Sequence, residues 1–151
     1  VVNGKSYRGV ADAYVRNASL YVVNRLGVDA YLQGVVSAEM GRRAPGESAA
    51  LEAQALVSRT YALGNRGRYS AQAFDLGAGV SDQAYGGVAS ETSQGNNAVR
   101  ATRGVVITHR GNLIRAFFHS TCGYATAAPE ELFHSPVSTF ACDTRAPFPP
   151  A

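Results

Sequence analysis

The stretch Val28-Asp-Ala-Tyr-Leu-Gln-Gly-Val-Val-Ser-Ala-Glu-Met40 decides the fold, together with Leu51-Glu-Ala-Gln-Ala-Leu-Val-Ser-Arg-Thr-Tyr-Ala-Leu63 just after it. The first segment has apolar residues at helical spacing, namely Val28, Tyr31, Leu32 and Val35. Glu39 comes next on this stripe, so we expect its carboxyl group to be partly desolvated and therefore protonated more readily. A general acid needs that form near neutral pH. The alternative is a Glu at a helix end that turns to water.

The second segment predicts an alanine-rich helix that packs beside the first. Its predicted core stripe is Ala49, Ala53, Leu56, Val57, Thr60 and Leu63. Asp29 is the predicted N-cap of the first helix, and Pro45 is expected to open the second. Glu52 and Arg59 are seven positions apart, so we expect them to share one helix face.

The rest of the chain predicts short antiparallel strands around these helices. Residues 2–25 alternate apolar and polar side chains between turn signals, and residues 104–109 and 112–118 predict a hairpin about Arg110-Gly111. The fold class is therefore predicted to be α+β, with paired helices packed on small antiparallel sheet elements in a single domain.

Between these elements lie a long loop and a third helix. Residues 64–89 are rich in Gly, Ser, Ala and Gln, and a loop of this length in a compact domain is often functional. Residues 90–101 predict the helix, with Ser90 as N-cap and buried positions at Ala98, Val99 and Ala101. The domain is predicted to span residues 1–145, followed by an extended tail at 146–151.

Bulk composition is typical of a folded globular domain. The 151 residues are 46% hydrophobic and 17% charged, and no apolar run is long enough to span a bilayer. The net charge of +3 comes from scattered basic residues without a nucleic-acid-binding motif, so we expect no nucleic-acid partner. The first residues lack the features of a signal peptide, and we expect a mature or trimmed domain.

Two cysteines, Cys122 and Cys142, allow three interpretations. In an exported protein an even pair indicates one disulfide, which here would contribute about 3 kcal/mol by closing the loop. The second interpretation is a zinc site formed by His119, Cys122, His134 and Cys142. The third is two free thiols.

Separated blocks in the chain resemble the stage II sporulation protein D family, also called the amidase-enhancer family. The matching blocks are Tyr31-Leu-Gln-Gly-Val-Val-Ser-Ala-Glu-Met40, Glu52-Ala-Gln-Ala-Leu-Val-Ser-Arg-Thr-Tyr61, Asp82-Gln-Ala-Tyr-Gly-Gly87, Thr102-Arg-Gly-Val-Val-Ile107 and Ile114-Arg-Ala-Phe-Phe-His-Ser-Thr-Cys-Gly123. The sequence departs from the family pattern at Gly41, where a Pro is usual, and at Glu52, where a Lys is frequent.

The resemblance implies a lytic transglycosylase that cleaves peptidoglycan glycan strands, preferably those without stem peptides, outside the cytoplasmic membrane. Glu39 would be its catalytic residue, and the product would be a 1,6-anhydro-muramyl end. Glycoside hydrolysis normally takes two carboxylates, for which Asp82, Glu52 and Asp75 are candidates beside Glu39. Transglycosylation needs only one, because the C6 hydroxyl of the sugar is the nucleophile.

Two other functions stay open. Some relatives are described only as enhancers of a cell-wall amidase, so the chain could be a non-catalytic module that binds the wall and recruits that enzyme. A zinc-dependent hydrolase using the four His and Cys residues named above is the third hypothesis. The full-length protein could also carry a membrane anchor.

Five residues are candidates for binding the glycan. Arg59 would hold Glu39 or a substrate oxygen, or else form a salt bridge with Glu52. Gln83 and Tyr85 suit sugar hydroxyls and rings, although a turn that packs Tyr85 into the core is the alternative. The remaining two, at a predicted strand end before a glycine-containing loop, are His119 and Ser120.

Overall fold

A computed structural model of the chain describes residues 1–118 and shows three helices with two small antiparallel hairpins. Its elements are β1 (Val10–Arg16), β2 (Ser19–Arg25), α1 (Val28–Met40), α2 (Ser48–Gly64), α3 (Ser93–Ala101), β3 (Thr108–His109) and β4 (Asn112–Leu113), with short 3₁₀ segments at Ser70–Gln72 and Gly87–Ser90. β1 pairs with β2, and β3 pairs with β4. The predicted α+β class is confirmed. None of the helices in residues 1–118 is long and apolar enough to cross a membrane.

The core lies where α1, α2 and α3 meet. Its buried cluster is Leu32, Val36, Leu51, Ala55, Ala98 and Val99, against which Val28, Tyr31 and Met40 pack. Each fully buried Val or Leu side chain contributes roughly 1.5–3 kcal/mol relative to an exposed one. The apolar stripe predicted for α1 is confirmed, and it fixes the direction in which the end of this helix presents Glu39.

The buried face of α2 differs from the predicted stripe. Ala49 and Ala53 are exposed, whereas the buried residues are Leu51, Ala55, Ser58, Arg59, Thr60, Tyr61 and Ala62. Of the predicted stripe, Thr60 is buried and Leu56, Val57 and Leu63 are half-buried. An alanine-rich helix has little contrast between its faces, so its rotation is set by its partners.

Helix starts were predicted two to three residues away from their observed positions. Gly27, not Asp29, is the N-cap of α1, because the Asp29 carboxylate is committed to ion pairs with Arg59 and Arg103. α2 begins at Ser48 rather than at Pro45, which lies in the preceding turn.

The start of α3 also differs from the prediction. Thr92 is its N-cap, and the Thr92 hydroxyl accepts a hydrogen bond from the Gly95 amide at 3.0 Å. The predicted cap, Ser90, instead donates to the Gly34 carbonyl. Of the three predicted core positions of α3, Ala98 and Val99 are buried, whereas Ala101 is exposed.

α1 ends abruptly just after Glu39. Gly41 adopts φ +66°, and its N–H donates to the Ser37 carbonyl at 3.0 Å. Proline is restricted to φ near −65°, so the Pro that is usual in the family at this position could not adopt this conformation. The departure at Gly41 therefore changes how the chain leaves the helix while leaving Glu39 in its last turn.

The two hairpins confirm the predicted strands to different extents. Asn17 and Ala18 both have positive φ and make the tight turn between β1 and β2. The predicted turn at Arg110-Gly111 is present, but β3 and β4 are only two residues long. The preceding segment contacts α2 instead, since the Ile107 amide donates to Thr60 Oγ1 and the Val105 carbonyl accepts from Arg59.

Candidate active site

A pocket of about 550 Å³ lies at the end of α1. The end of α2, the loop after it and the segment following β4 form its other walls. The residues that matter for its chemistry are Glu39, Tyr61, Arg68, Asp82, Phe117 and Phe118. Charged groups therefore share one concave surface with three aromatic rings, an arrangement suited to a polar ligand with apolar ring faces.

Glu39 is half-buried, and one of its carboxylate oxygens is held by the backbone. Oε1 accepts a hydrogen bond from the Ala84 amide at 2.6 Å. Within residues 1–118 this is the only hydrogen bond of the carboxylate, so Oε2 is available to a ligand. A side chain oriented by one oxygen and free at the other has the geometry that proton transfer to a bound substrate requires.

The loop that carries Ala84 rests on the bare backbone of α1 at Gly34. The Gly34 carbonyl accepts from the Gly86 amide at 3.2 Å and from Ser90 Oγ at 2.7 Å. A Cβ added to Gly34 would lie 2.6 Å from the Tyr85 ring, so glycine is needed for this close approach. The contact sets the position of the neighbouring Ala84 amide relative to Glu39.

Asp82, the other carboxylate of the pocket, accepts hydrogen bonds at both of its oxygens. Its Oδ1 accepts from Tyr61 Oη at 3.1 Å and from Arg68 Nη1 at 2.8 Å, and its Oδ2 accepts from the Gly77 amide at 2.8 Å. Burial and then the negative charge of Asp82 raise the pKa of Tyr61, so the hydroxyl stays protonated and donates. Asp82 is therefore bound as a structural anion.

The other two carboxylates considered at the sequence level lie elsewhere. Asp75 accepts a hydrogen bond from the Gly67 amide at 2.7 Å and lines a separate groove. Glu52 is half-buried on α2 and does not line the pocket of Glu39. Among residues 1–118, Glu39 is thus the pocket carboxylate that is free to react.

Arg59 is buried and does not reach this pocket. Its guanidinium makes five hydrogen bonds, two to Asp29 Oδ1 and one each to the Val99 carbonyl, Thr102 Oγ1 and the Val105 carbonyl. The predicted salt bridge with Glu52 and the predicted contact with Glu39 are wrong, whereas the substrate contact stays a prediction for a side chain that is 1% exposed. The physical reason is that this side chain is directed toward α1 and the end of α3, where Asp29, the Thr102 hydroxyl and two backbone carbonyls accept from all its donors.

Gln83 and Tyr85 are also structural in this arrangement. Gln83 is fully buried, accepts from Tyr31 Oη at 3.2 Å and donates to the Ser58 carbonyl at 3.4 Å. The Tyr85 hydroxyl donates to Asn24 at 2.7 Å, and its ring contacts Tyr31. The geometry therefore favours the alternative in which the turn packs Tyr85 inward, and it leaves no sugar contact for Gln83.

The remaining predicted site residues lie outside the described residues. These are His119 and Ser120 as substrate contacts, and His119, Cys122, His134 and Cys142 as disulfide or zinc ligands. Within residues 1–118 no three His, Cys, Asp or Glu side chains are grouped so as to hold a metal ion. The disulfide, the zinc site and the 146–151 tail stay predictions.

A larger groove of about 1040 Å³ separates the β1–β2 hairpin from the helices. Its carboxylates are engaged, since Asp12 pairs with Arg25 at 2.9 Å and Asp75 accepts from the backbone. Tyrosine rings fill much of its wall, including the stacked Tyr14 and Tyr21. Because this larger groove has no free acid among residues 1–118, the smaller pocket is the candidate active site.

Sequence reasoning missed three groups that shape this pocket. Tyr61 lies in one of the matched blocks but was given no role, and Arg68 lies in a loop without any motif. The third is the Ala84 amide, which a sequence pattern cannot reveal because it is a backbone group.

Within the described residues 1–118, the fold and the pocket define a small α+β domain with one free acid at a helix end. The family model for Stage II sporulation protein matches residues 16–109, more than half of the chain. The chain belongs to the stage II sporulation protein D family. This membership supports a cell-wall-related role.

A curated relative extends the comparison. An uncharacterized protein of Brachyspira hyodysenteriae is 32% identical over 136 residues, which cover 87% of this chain and 36% of that protein. The chain therefore spans about a third of the length of this relative. No solved structure matches the chain.

Proposed function

We propose that this domain is a lytic transglycosylase that cleaves peptidoglycan glycan strands outside the cytoplasmic membrane, with Glu39 as general acid and then general base. The observation that carries the proposal is the contrast between the two pocket carboxylates. Within residues 1–118, Oε2 of Glu39 has no donor, whereas both oxygens of Asp82 accept hydrogen bonds, from three donors in total. Hydrolysis normally requires a second working carboxylate, and transglycosylation does not.

The reaction balances with one acid. Protonated Glu39 gives its proton to the glycosidic oxygen as the bond from that oxygen to the anomeric carbon of the muramic acid breaks. The C6 hydroxyl of the same sugar then attacks the anomeric carbon, and Glu39, now a carboxylate, takes the hydroxyl proton. A 1,6-anhydro ring forms, no water is consumed, and Glu39 returns to its protonated state.

The tether from the Ala84 amide supports this double role. A hydrogen bond to one oxygen limits rotation of the carboxyl group, so the other oxygen can meet the substrate in the same place in both steps. Phe117 and Phe118 supply apolar surface at the wall of the pocket, suited to sugar ring faces.

Mass spectrometry of purified glycan strands without stem peptides tests the proposal. The domain should release anhydro-muramyl ends, and Glu39→Gln should lower that rate by about 10²–10⁴-fold or more, because the amide cannot transfer the proton. Glu52→Gln is the matched control, since this carboxylate lies outside the pocket, and it should keep wild-type activity.

Two results would contradict the proposal. Cleavage retained by Glu39→Gln would remove Glu39 from the mechanism. Intact glycan after incubation with the folded wild-type domain, with glycan still bound to it, would favour the non-catalytic module that recruits an amidase. In that case Glu39→Gln should leave amidase stimulation unchanged.

A further inference from the structure

Arg68 is held rigidly at the wall of the pocket by one of its terminal nitrogens. Nη1 donates to Asp82 Oδ1 at 2.8 Å and to Tyr61 Oη at 3.2 Å. The guanidinium carbon also lies 5.4 Å from the centre of the Tyr69 ring. Asp82 is fully buried while the Arg68 side chain is 45% exposed, so the anchor lies inside the protein and the cation faces outward.

The opposite edge of this guanidinium has no hydrogen-bond partner among the described residues 1–118. Nε and Nη2 point their N–H groups in parallel along that edge, and neither donates to an acceptor within residues 1–118. Two parallel donors on a fixed planar cation match the two oxygens of a carboxylate. Because the guanidinium is already immobilised, little further side-chain entropy is lost when an anion binds.

The other arginine of the pocket is less suited to this task. Arg43 donates its Nε hydrogen to the Met40 carbonyl at 3.0 Å, which uses one half of the paired-donor edge. Its Nη1 also lies 4.0 Å from Glu47, which offsets its charge. Of the two pocket arginines, Arg68 therefore keeps its paired-donor edge available within residues 1–118.

We propose that Arg68 binds the free lactyl carboxylate of a muramic acid residue, which makes it the residue responsible for the preference, implied by the family resemblance, for strands without stem peptides. The inference rests on the proposed function. The sugar whose anomeric carbon reacts at Glu39 is the one that carries the lactyl group, so both groups of the sugar occupy one pocket. A stem peptide converts this carboxylate into an uncharged amide, which removes the ion pair with Arg68 and adds bulk. The cation also offsets repulsion between the substrate carboxylate and ionised Glu39.

Binding measurements with a matched pair of ligands test this role without turnover. The protein is the Glu39→Gln variant, and the ligands are a GlcNAc–MurNAc tetrasaccharide with free lactyl carboxyls and the same saccharide with these groups converted to methylamides. Isothermal titration should give a Kd about tenfold lower for the acid, as a charge-assisted contact predicts.

Variants assign the preference to one side chain. When Arg68→Gln is added to the Glu39→Gln protein, the two ligands should bind with equal affinity. Arg68→Lys in the same protein should keep part of the preference for the acid, because lysine retains the charge without the paired donors. Arg66→Gln is the matched control, since this exposed arginine lies outside the pocket, and the tenfold preference should persist. In the protein with Glu39 intact, Arg68→Gln should raise KM for the acid and leave kcat nearly unchanged.

Three results would overturn the assignment. The first is equal affinity of the Glu39→Gln protein, which retains Arg68, for the acid and the amide. This result does not depend on whether the Arg68→Gln variant folds. A tenfold preference that survives in Arg68→Gln also overturns the assignment, as does binding of neither saccharide. Failure of the proposed function is a different result. It would be the absence of anhydro-muramyl ends after incubation with the protein that retains Glu39, and it does not depend on which ligand the Glu39→Gln protein prefers.

Discussion

One arginine–aspartate pair has its arginine on α2 and a second has its arginine just after α2, and the two pairs are built in opposite ways. In the first, Arg59 is 1% exposed and Asp29 is 34% exposed. In the second, Arg68 is 45% exposed and Asp82 is fully buried. The chemistry of the pair is the same, but the buried member differs. The buried Arg59 donates its hydrogen bonds to other parts of the protein. The buried Asp82 instead holds Arg68 in place while the remaining donors of Arg68 face solvent.

This contrast explains why one arginine connects helices and the other lines a pocket. The five hydrogen bonds of Arg59 join α2 to Asp29 of α1 and to the end of α3. Arg68 makes two hydrogen bonds, both through Nη1, and keeps its other edge free within residues 1–118. The exposure of each partner, rather than the presence of a salt bridge, indicates which pair can serve a ligand.

The same substitution in both pairs gives the largest expected effect. Asp29→Asn leaves the buried Arg59 charge without its counter-ion and should lower the free energy of unfolding by about 3–5 kcal/mol. Asp82→Asn leaves Arg68 free to hydrate and should cost only about 1–3 kcal/mol. Urea unfolding monitored by circular dichroism measures both. Equal losses, or a larger loss for Asp82→Asn, would break the comparison.

The preference for the acid over the amide should be reduced more by Asp82→Asn than by Asp29→Asn, which is the reverse of the order expected for stability. Asp82→Asn, combined with Glu39→Gln, removes the anchor of Arg68 and should reduce the tenfold acid-over-amide preference to about two- to threefold, because a mobile guanidinium loses more entropy on binding. Asp29→Asn in the same background, measured under conditions where it is folded, should keep the preference. A preference lost in Asp29→Asn and kept in Asp82→Asn would reverse the two roles.

A third arginine–carboxylate pair, Arg8–Glu91, should give the smallest effect. Hydrogen bonding from Arg8 lowers the pKa of Glu91 below its ordinary value of 4.5. A lowered folded-state pKa means that the stability contribution is present above pH 4.5 and is lost as the pH falls through the folded value. Thermal melts should show Glu91→Gln slightly less stable than wild type at pH 7 and equal to it near pH 2. A difference that grows on acidification would contradict this sign.

The sequence predicts the parts of the fold in which side chains contrast with their neighbours. The apolar stripe of α1 stands out from the polar residues around it, so its direction and the place of Glu39 could be predicted. The face of α2 could not, because alanines allow several rotations and the choice depends on where Arg59 finds carbonyl acceptors. Ala49 and Ala53, which were predicted to lie in the buried stripe of α2, are exposed.

The candidate site was predictable for its acid and not for its surroundings. Glu39 belongs to a recognisable block and continues a helical stripe, so two independent signals indicated it. Gln83 and Tyr85 also belong to a block, yet they support the loop instead of lining the pocket with Glu39. Arg68 has no pattern around it, since its position depends on the buried Asp82, which lies in a distant part of the loop.

The hydrogen bond between Ala84 and Glu39 joins positions 45 residues apart. α1 can form from contacts within a few residues of one another, but the orientation of its carboxyl group requires closure of this long intervening segment. A chain still emerging from the ribosome can therefore contain the complete helix before the amide that positions Glu39 has been synthesised. The acid can therefore be oriented only after all of α1 and all of α2 have been synthesised.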